Sequence, residues 1–435
     1  MRNLQIPQNL FIENRKRFIQ LLPSASLAIF GSAEKMPRNG DQFFPFRQQS
    51  DFFYLTGIEA ENSKLLLFPD CSNQQFREVL FIESPNEQKA IWEGHQLNTG
   101  EAKTISGITQ VLTIDQFETV LQEVMNYTSG VYLNNNEYIK YFSDVPDNQS
   151  RLIQLLKQKY PLHAYKRAAP LLEQLRTIKS KEEIEILQTA CNITGKAFER
   201  LLKLPLTEKF EFEVQAEIEH EFTVNRANGH GYYPIIASGE NTCILHYTAN
   251  NQQLQDGDLL LLDFGAEYAN YSADLSRTIP VDGKFNDRQK QCYEAVLRVF
   301  KKAKVLYKPG TTIDLINKEV WKYMELEMIG LGLFTAEDVA NQASDKPLYR
   351  QYLMHGTAHH IGLDVHDVGS KFEPLKAGMI LTCEPGIYIK NEKIGIRIEN
   401  DILITDNEPI DLMAHIPVEV EEIERLMSTW STLST

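Results

Sequence analysis

Five side chains in the C-terminal half have the chemistry of metal ligands: Asp263, Asp274, His359, Glu384 and Glu399. Four carboxylates and one imidazole, with no thiolate, make a hard, oxygen-rich donor set. It suits Mn, Fe, Co or Zn, and suits Mg less well once a histidine binds. Converged, these groups can surround two divalent ions about 3.5–4 Å apart, bridged by carboxylates and a water that becomes the nucleophile. Each acid also has an ordinary reading. Asp263 could be a turn or capping residue, Asp274 a surface strand residue, Glu384 part of a turn at Pro385-Gly386, and Glu399 a plain partner of Arg397. Together these readings weaken, because four strands each present an acid beside apolar neighbours. Buried carboxylates must be paired or bind cations, and converging like charges repel unless cations lie between them.

Four of the ten histidines fall between His355 and His366: His355, His359, His360 and His366. Two histidines four apart can be a helical zinc pair, but Gly356 and Gly362 disfavour a helix. No Glu follows His355, so the H-E-x-x-H pattern fails. A strand or loop lining a cleft is expected instead. His246, in Ile244-Leu-His-Tyr-Thr248, is a further candidate. No G-x-S-x-G, phosphate-binding loop or dinucleotide fingerprint supports a competing chemistry.

The elements that must position these groups are legible. Asp256-Gly257-Asp258 is a turn signal that launches an apolar strand over Leu259 to Phe264. A second strand is expected over about 271–279 and contains Asp274. A third, 379–383, delivers Glu384. From 394 to 404, isoleucines at 394, 396, 398, 402 and 404 alternate with polar residues. That period places Arg397 and Glu399 together on the opposite face. Ser180 and Glu183 form a capping-box pattern that opens a long helix carrying Ile184, Leu187, Cys191, Phe198 and Leu201. Further helices are expected over 288–305 and 313–325. The first 165 residues read as mixed α/β, with buried strands at 64–68 and 79–82, an amphipathic segment at 117–124, and helical spacing of Leu152, Leu155 and Leu156. Prolines bracket a basic stretch at 160–170, so two domains are expected, 1–165 and 166–435.

The bulk composition fits that frame. The chain has 435 residues, 43% hydrophobic and 10% aromatic, which describes a globular protein large enough for two cores. Its net charge of −15 keeps the protein soluble and disfavours nucleic acid and anionic membranes, so neither is an expected partner. The five scattered cysteines, without a C-x-x-C, form neither a disulfide framework nor a zinc site. The opening residues are too polar for a signal peptide, and no apolar stretch is long enough to span a bilayer. A reducing, cytoplasmic location is the expectation.

The motifs Asp263-Phe-Gly-Ala-Glu-Tyr, Ser272-Ala-Asp274-Leu-Ser-Arg-Thr278, His355-Gly-Thr-Ala-His359-His-Ile-Gly-Leu-Asp-Val-His366-Asp, Cys383-Glu384-Pro-Gly and Arg397-Ile-Glu399-Asn resemble those of the pita-bread metallopeptidases. The branch resembled is Xaa-Pro aminopeptidase (aminopeptidase P), with prolidase as near relative. Arg47-Gln-Gln-Ser-Asp51-Phe-Phe-Tyr-Leu-Thr56 resembles the N-terminal domain of that branch. The implied fold class is α/β (α+β): a mixed α/β N-terminal domain, then a pita-bread domain with a curved, mainly antiparallel sheet flanked by helices. The implied activity is metal-dependent release of an N-terminal residue that precedes proline, by attack of a metal-bridging hydroxide. The resemblance implies two divalent ions, Mn2+ first and Co2+, Fe2+ or Zn2+ as alternatives. Asp263, Asp274, His359, Glu384 and Glu399 would be the ligands, with Glu384 also the proton shuttle. It further implies that His246, His355 and His366 line the substrate cleft, that Arg397 supports the acids, and that Tyr233 lies near the metals. Trp92 would be lent to a neighbouring copy in a homodimer or homotetramer. Phe264 and Ala358 depart from the commoner small residue and serine. Prolidase action on dipeptides, and a non-catalytic binding protein of the same fold, are the alternatives. A methionine aminopeptidase does not call for so large an N-terminal domain.

Overall fold

The chain divides into two compact units, the first ending at Arg176 and the second beginning at Thr177. The computed structural model describes residues 6–138 and 143–428. In the first unit, β1 (Ser26–Gly31), β2 (Lys64–Leu67), β3 (Glu78–Ile82), β4 (Gln110–Thr113), β5 (Gly130–Leu133) and β6 (Ala164–Arg167) form one mixed sheet in the order β4-β3-β2-β1-β5-β6. β1 lies centrally, antiparallel to β2 and parallel to β5. Every residue of β1 is buried, which is why the strand reads as continuous rather than alternating. Helix Phe117–Met125 lays Phe117, Val120, Leu121 and Val124 onto Leu27, Ile29, Leu66, Val79 and Phe81. Helix Asn148–Lys159 adds Leu152 and Leu156, while Leu155 faces outward.

The boundary expected at 165 falls inside this unit. Residues 160–170 are not a free connector: they contain edge strand β6, whose mostly exposed positions explain its basic composition. Pro170 sits in the first turn of helix Ala169–Arg176, where a missing N–H is harmless. That helix buries Arg176, whose guanidinium meets Asp51 at 2.7 Å. Asn134 also donates to Asp51, at 2.8 Å.

In the second unit, Ser180 and Glu183 exchange the expected reciprocal capping bonds at the start of α1 (Lys181–Leu201). Helices α2 (Glu211–Val224), α3 (Asp287–Lys304) and α4 (Ile313–Gly330) follow. Strands β7 (Ile235–Ser238), β8 (Leu259–Phe264) and β9 (Leu275–Pro280) form an antiparallel sheet in that order. β10 (Ile380–Cys383) pairs antiparallel with β13 (Asn400–Leu403), and β11 (Gly386–Ile389) forms a hairpin with β12 (Ile394–Arg397).

Two expected strands are broken, both at an acid. The 271–279 strand is interrupted at Asp274: Tyr271–Ser272 pairs with Ala266–Tyr268, whereas β9 pairs with β8. Gly265 makes this turn possible, since a Cβ there would come within 1.7 Å of the Ala273 carbonyl oxygen. The 394–404 strand breaks at Ile398–Glu399, so that β12 and β13 join different sheets. All five isoleucines are buried regardless, because the face they share survives the break.

Asp51→Ala removes a carboxylate that meets the buried Arg176 guanidinium and accepts from Asn134, and should destabilise the first unit by about 3–5 kcal/mol. Urea denaturation checks this; an unchanged midpoint would show the pair to be dispensable.

Candidate metal centre

The strand pairings bring the acids together in a row. Asp263 at the end of β8 is the cross-strand partner of Ser276 on β9, and Ser276 in turn pairs with Glu399 across an isolated bridge. Glu384 follows Cys383, whose partner is Asn400, so it emerges beside Glu399. The 357–359 segment runs along β10, with Glu384 N–H donating to the Thr357 carbonyl and Thr382 N–H donating to the His359 carbonyl. Four short strands and one loop therefore converge on one point.

Asp274, His359 and Glu399 offer ligand atoms that all lie within 4.8 Å of one another. His359 Nε2 lies 3.5 Å from Asp274 Oδ2 and 3.8 Å from Glu384 Oε1. His359 Nδ1 is 3.0 Å from the His360 carbonyl oxygen, an acceptor only, so Nδ1 carries the proton there and Nε2 keeps its lone pair for the cluster. Asp263 joins through Tyr232, whose hydroxyl lies 2.6 Å from Asp263 Oδ1 and 2.5 Å from Asp274 Oδ1.

A cationic and polar frame surrounds the acids. Arg397 Nη2 reaches Asp263 at 2.5 Å, and its Nε donates to Ser276 Oγ at 2.8 Å. Ser276 Oγ donates onward to Glu399 Oε2 at 2.6 Å. Arg397 Nη1 also donates to the Tyr388 hydroxyl, which lies 2.9 Å from His355 Nε2. Behind Asp274 lies Asp401, fully buried; its Oδ2 accepts from the Asp274 N–H and the Cys191 thiol, while Oδ1 has no partner among the described residues.

The electrostatics are those of a cation site. Burial, and then repulsion from Asp263, raises Asp274 well above the usual carboxylate range; burial and then Asp274 do the same to Glu399. Burial, followed by the Glu399 charge, pushes Glu384 up to about 8. Burial and then the Arg397 charge lower His355 to about 4. Hard acids packed this closely, with an imidazole nitrogen left as an acceptor, fit divalent ions of borderline hardness.

The remaining expected residues are distributed unevenly. His366 is exposed and its ring sits edge-on to His359, centroids 4.5 Å apart. His246 is exposed. Tyr233 needs correction: it is 81% exposed, and the tyrosine against the acids is its neighbour Tyr232. The paired tyrosines Tyr232-Tyr233 offered no sequence signal to choose between them. Trp92 lies in the first unit on the short helix Glu87–Glu93 and is 88% exposed. Phe264 packs against Phe222, on the face of β8 away from Asp263. Sequence reasoning missed Ser276, Tyr388 and Tyr232 as site residues. It gave Asp401 no role, and the register of β8 on β9 is what reveals Ser276.

This arrangement defines a metal-dependent hydrolase. Residues 185–406 match metallopeptidase family M24, and residues 11–132 match the aminopeptidase P N-terminal domain. The chain is 35% identical to the Xaa-Pro aminopeptidase of Haemophilus influenzae, covering 98% of both chains. It is 35% identical to the Xaa-Pro aminopeptidase of Escherichia coli, covering 97% of this chain and 98% of the relative. The solved structure of Escherichia coli aminopeptidase P with the inhibitor Pro-Leu superposes with a TM-score of 0.88 at 33% identity, over 99% of this chain and 100% of that one. The chain belongs to metallopeptidase family M24, and the architecture is the expected mixed α/β domain followed by a pita-bread domain. Divalent metal is its cofactor and a peptide its substrate. No helix among the described residues is long and apolar enough to cross a membrane.

A pH prediction follows from the raised carboxyls. Without metal, folded Glu384 holds its proton up to about pH 8, whereas an unfolded glutamate releases it near the ordinary value of 4.5. The native state then binds more protons than the unfolded one, so stability falls as pH rises through that window. Chelator-treated protein should therefore melt lower at about pH 8 than at about pH 6.5, and divalent metal should restore more at the higher pH. Calorimetry with and without metal checks both signs.

Proposed function

We propose that this chain is an Xaa-Pro aminopeptidase that releases the N-terminal residue from peptides with proline second. The observation that carries this reading is the convergence of Asp263, Asp274, His359, Glu384 and Glu399 on one buried point, in a chain similar to Xaa-Pro aminopeptidases over nearly its whole length. In the proposal these five are the ligands of two ions, Mn2+ by preference. When bound, the ions supply Lewis acidity toward a carbonyl and a water.

The side chains supply the rest. An Xaa-Pro bond has no amide N–H, so a peptidase that grips that group is blocked, and a site that grips the carbonyl is not. Glu384, raised by burial toward neutrality, takes the proton of the attacking water and returns it to the departing prolyl nitrogen. His366, exposed beside His359, donates to the carbonyl oxygen as negative charge develops. His355, kept neutral by burial, and His246 hold the peptide chain in the cleft. Arg397 orients Asp263 and, through Ser276, Glu399. Tyr232 takes the place first given to Tyr233. A homodimer or homotetramer is the companion proposal, supported by the exposure of Trp92. A cytoplasmic location is supported by five free cysteines.

The discriminating experiment supplies Mn2+-loaded protein with Xaa-Pro-Yaa and Xaa-Pro peptides. Hydrolysis of the tripeptide at the Xaa–Pro bond is expected; cleavage of the dipeptide alone would make the protein a prolidase, and no cleavage of either would favour the binding-protein reading. Glu384→Gln preserves shape and removes the titrating group, so kcat should fall by about 10²–10⁴-fold with circular dichroism unchanged. Parent-like turnover in that variant would overturn the proton-transfer role. Chelation should abolish activity and Mn2+ should return it; sedimentation equilibrium reads the oligomer.

A further inference from the structure

The loop that carries His246 has neither helix nor strand between Ile244 and Gln252, and its shape is set by buried side chains. Glu211, the first residue of α2, is completely buried. One of its oxygens accepts from the N–H and the hydroxyl of Ser238, at 2.8 and 2.7 Å. The other accepts from the Tyr247 hydroxyl at 2.8 Å and the Gln252 N–H at 2.9 Å. Four donors fill the acceptor capacity of one carboxylate. They come from the end of β7 and from both sides of the loop, so a single group clasps the segment where it leaves the sheet and where it returns. The Glu211 N–H also donates to the Gln252 carbonyl, at 2.9 Å. No cation pairs with Glu211 among these contacts; the hydrogen bonds and the N-terminus of α2 compensate its burial. Burial, then the bond to Glu211, raises Tyr247 to about 12, so it remains a donor across the working pH range.

We infer that Glu211 is a positioning residue for the peptidase reaction: through Tyr247 it fixes the loop and so sets the position of the adjacent His246. The inference rests on the cleft role proposed for His246. The carboxylate touches no substrate and acts only through the loop. A glutamine at this position would keep the volume but turn a donor NH2 toward existing donors, leaving at least one of them unpaired in the interior.

The test is a double-mutant cycle, with kcat/KM of Mn2+-loaded protein for an Xaa-Pro-Yaa peptide as one readout and, on diamagnetic Zn2+-loaded protein, the imidazole NMR signals of His246 as the other. Glu211→Gln and Tyr247→Phe should each lower kcat/KM by about tenfold in the parent and by less than about twofold in a His246→Ala background, since residues acting through a shared partner are not additive. Metal content should stay at the parent level, and the His246 signals should shift while those of His359 do not. Full-sized, additive losses in the His246→Ala background, or unmoved His246 signals, would overturn the inference. If Glu211→Gln fails to fold, Tyr247→Phe carries the same comparison, because it removes a single hydrogen bond and no charge. An inert His246→Ala would instead reject the cleft role of His246, and the NMR shift then still decides whether the clasp sets the ring's position.

Discussion

Mutual repulsion among buried carboxylates is the constraint that organises the second unit. Asp263, Asp274, Glu384 and Glu399 lie close together in the fold, and burial and their neighbours push three of them upward. Such a cluster persists only if the surrounding chain supplies compensating donors. Arg397 brings a guanidinium against Asp263, while the Ser276 and Tyr232 hydroxyls lie against Glu399 and Asp274. The neighbouring strands are specified accordingly. β8 delivers an acid at its tip, β9 a serine opposite it, and β12 an arginine whose backbone N–H is tied to the Thr278 hydroxyl.

Much of this was legible because the physics that places ligands also leaves marks in sequence. Asp263 stood out as the single charge in a run of leucines, and such a residue is tolerated only at a strand end facing a partner. The alternation from Ile394 correctly put Arg397 and Glu399 on one face, and both reach Ser276. The capping box of α1 was readable because it is local. The ligand assignments themselves came from resemblance; spacing alone offered a two-metal hydrolase of unknown substrate.

What escaped was tertiary. The break at Ile398–Glu399 leaves the isoleucine period intact, so no periodicity argument could detect it. Tyr232 and Tyr233 are adjacent and chemically identical, and only the fold decides which ring turns inward. Ser276 gains its place from the β8–β9 register, and Asp401 from the turn that brings the Asp274 N–H toward it. The basic stretch at 160–170 looked like a connector because an edge strand exposes most of its residues.

The row of cross-strand pairs has a kinetic corollary. Its members come from stretches of chain as far apart as Asp263 and Glu399, with two long helices threaded between them. Loop-closure entropy makes such distant pairings slow to form. In the unfolded chain the acids are far apart and share no common cavity. Binding of divalent ions at the assembled centre therefore adds its free energy to the completed topology and not to the unfolded chain.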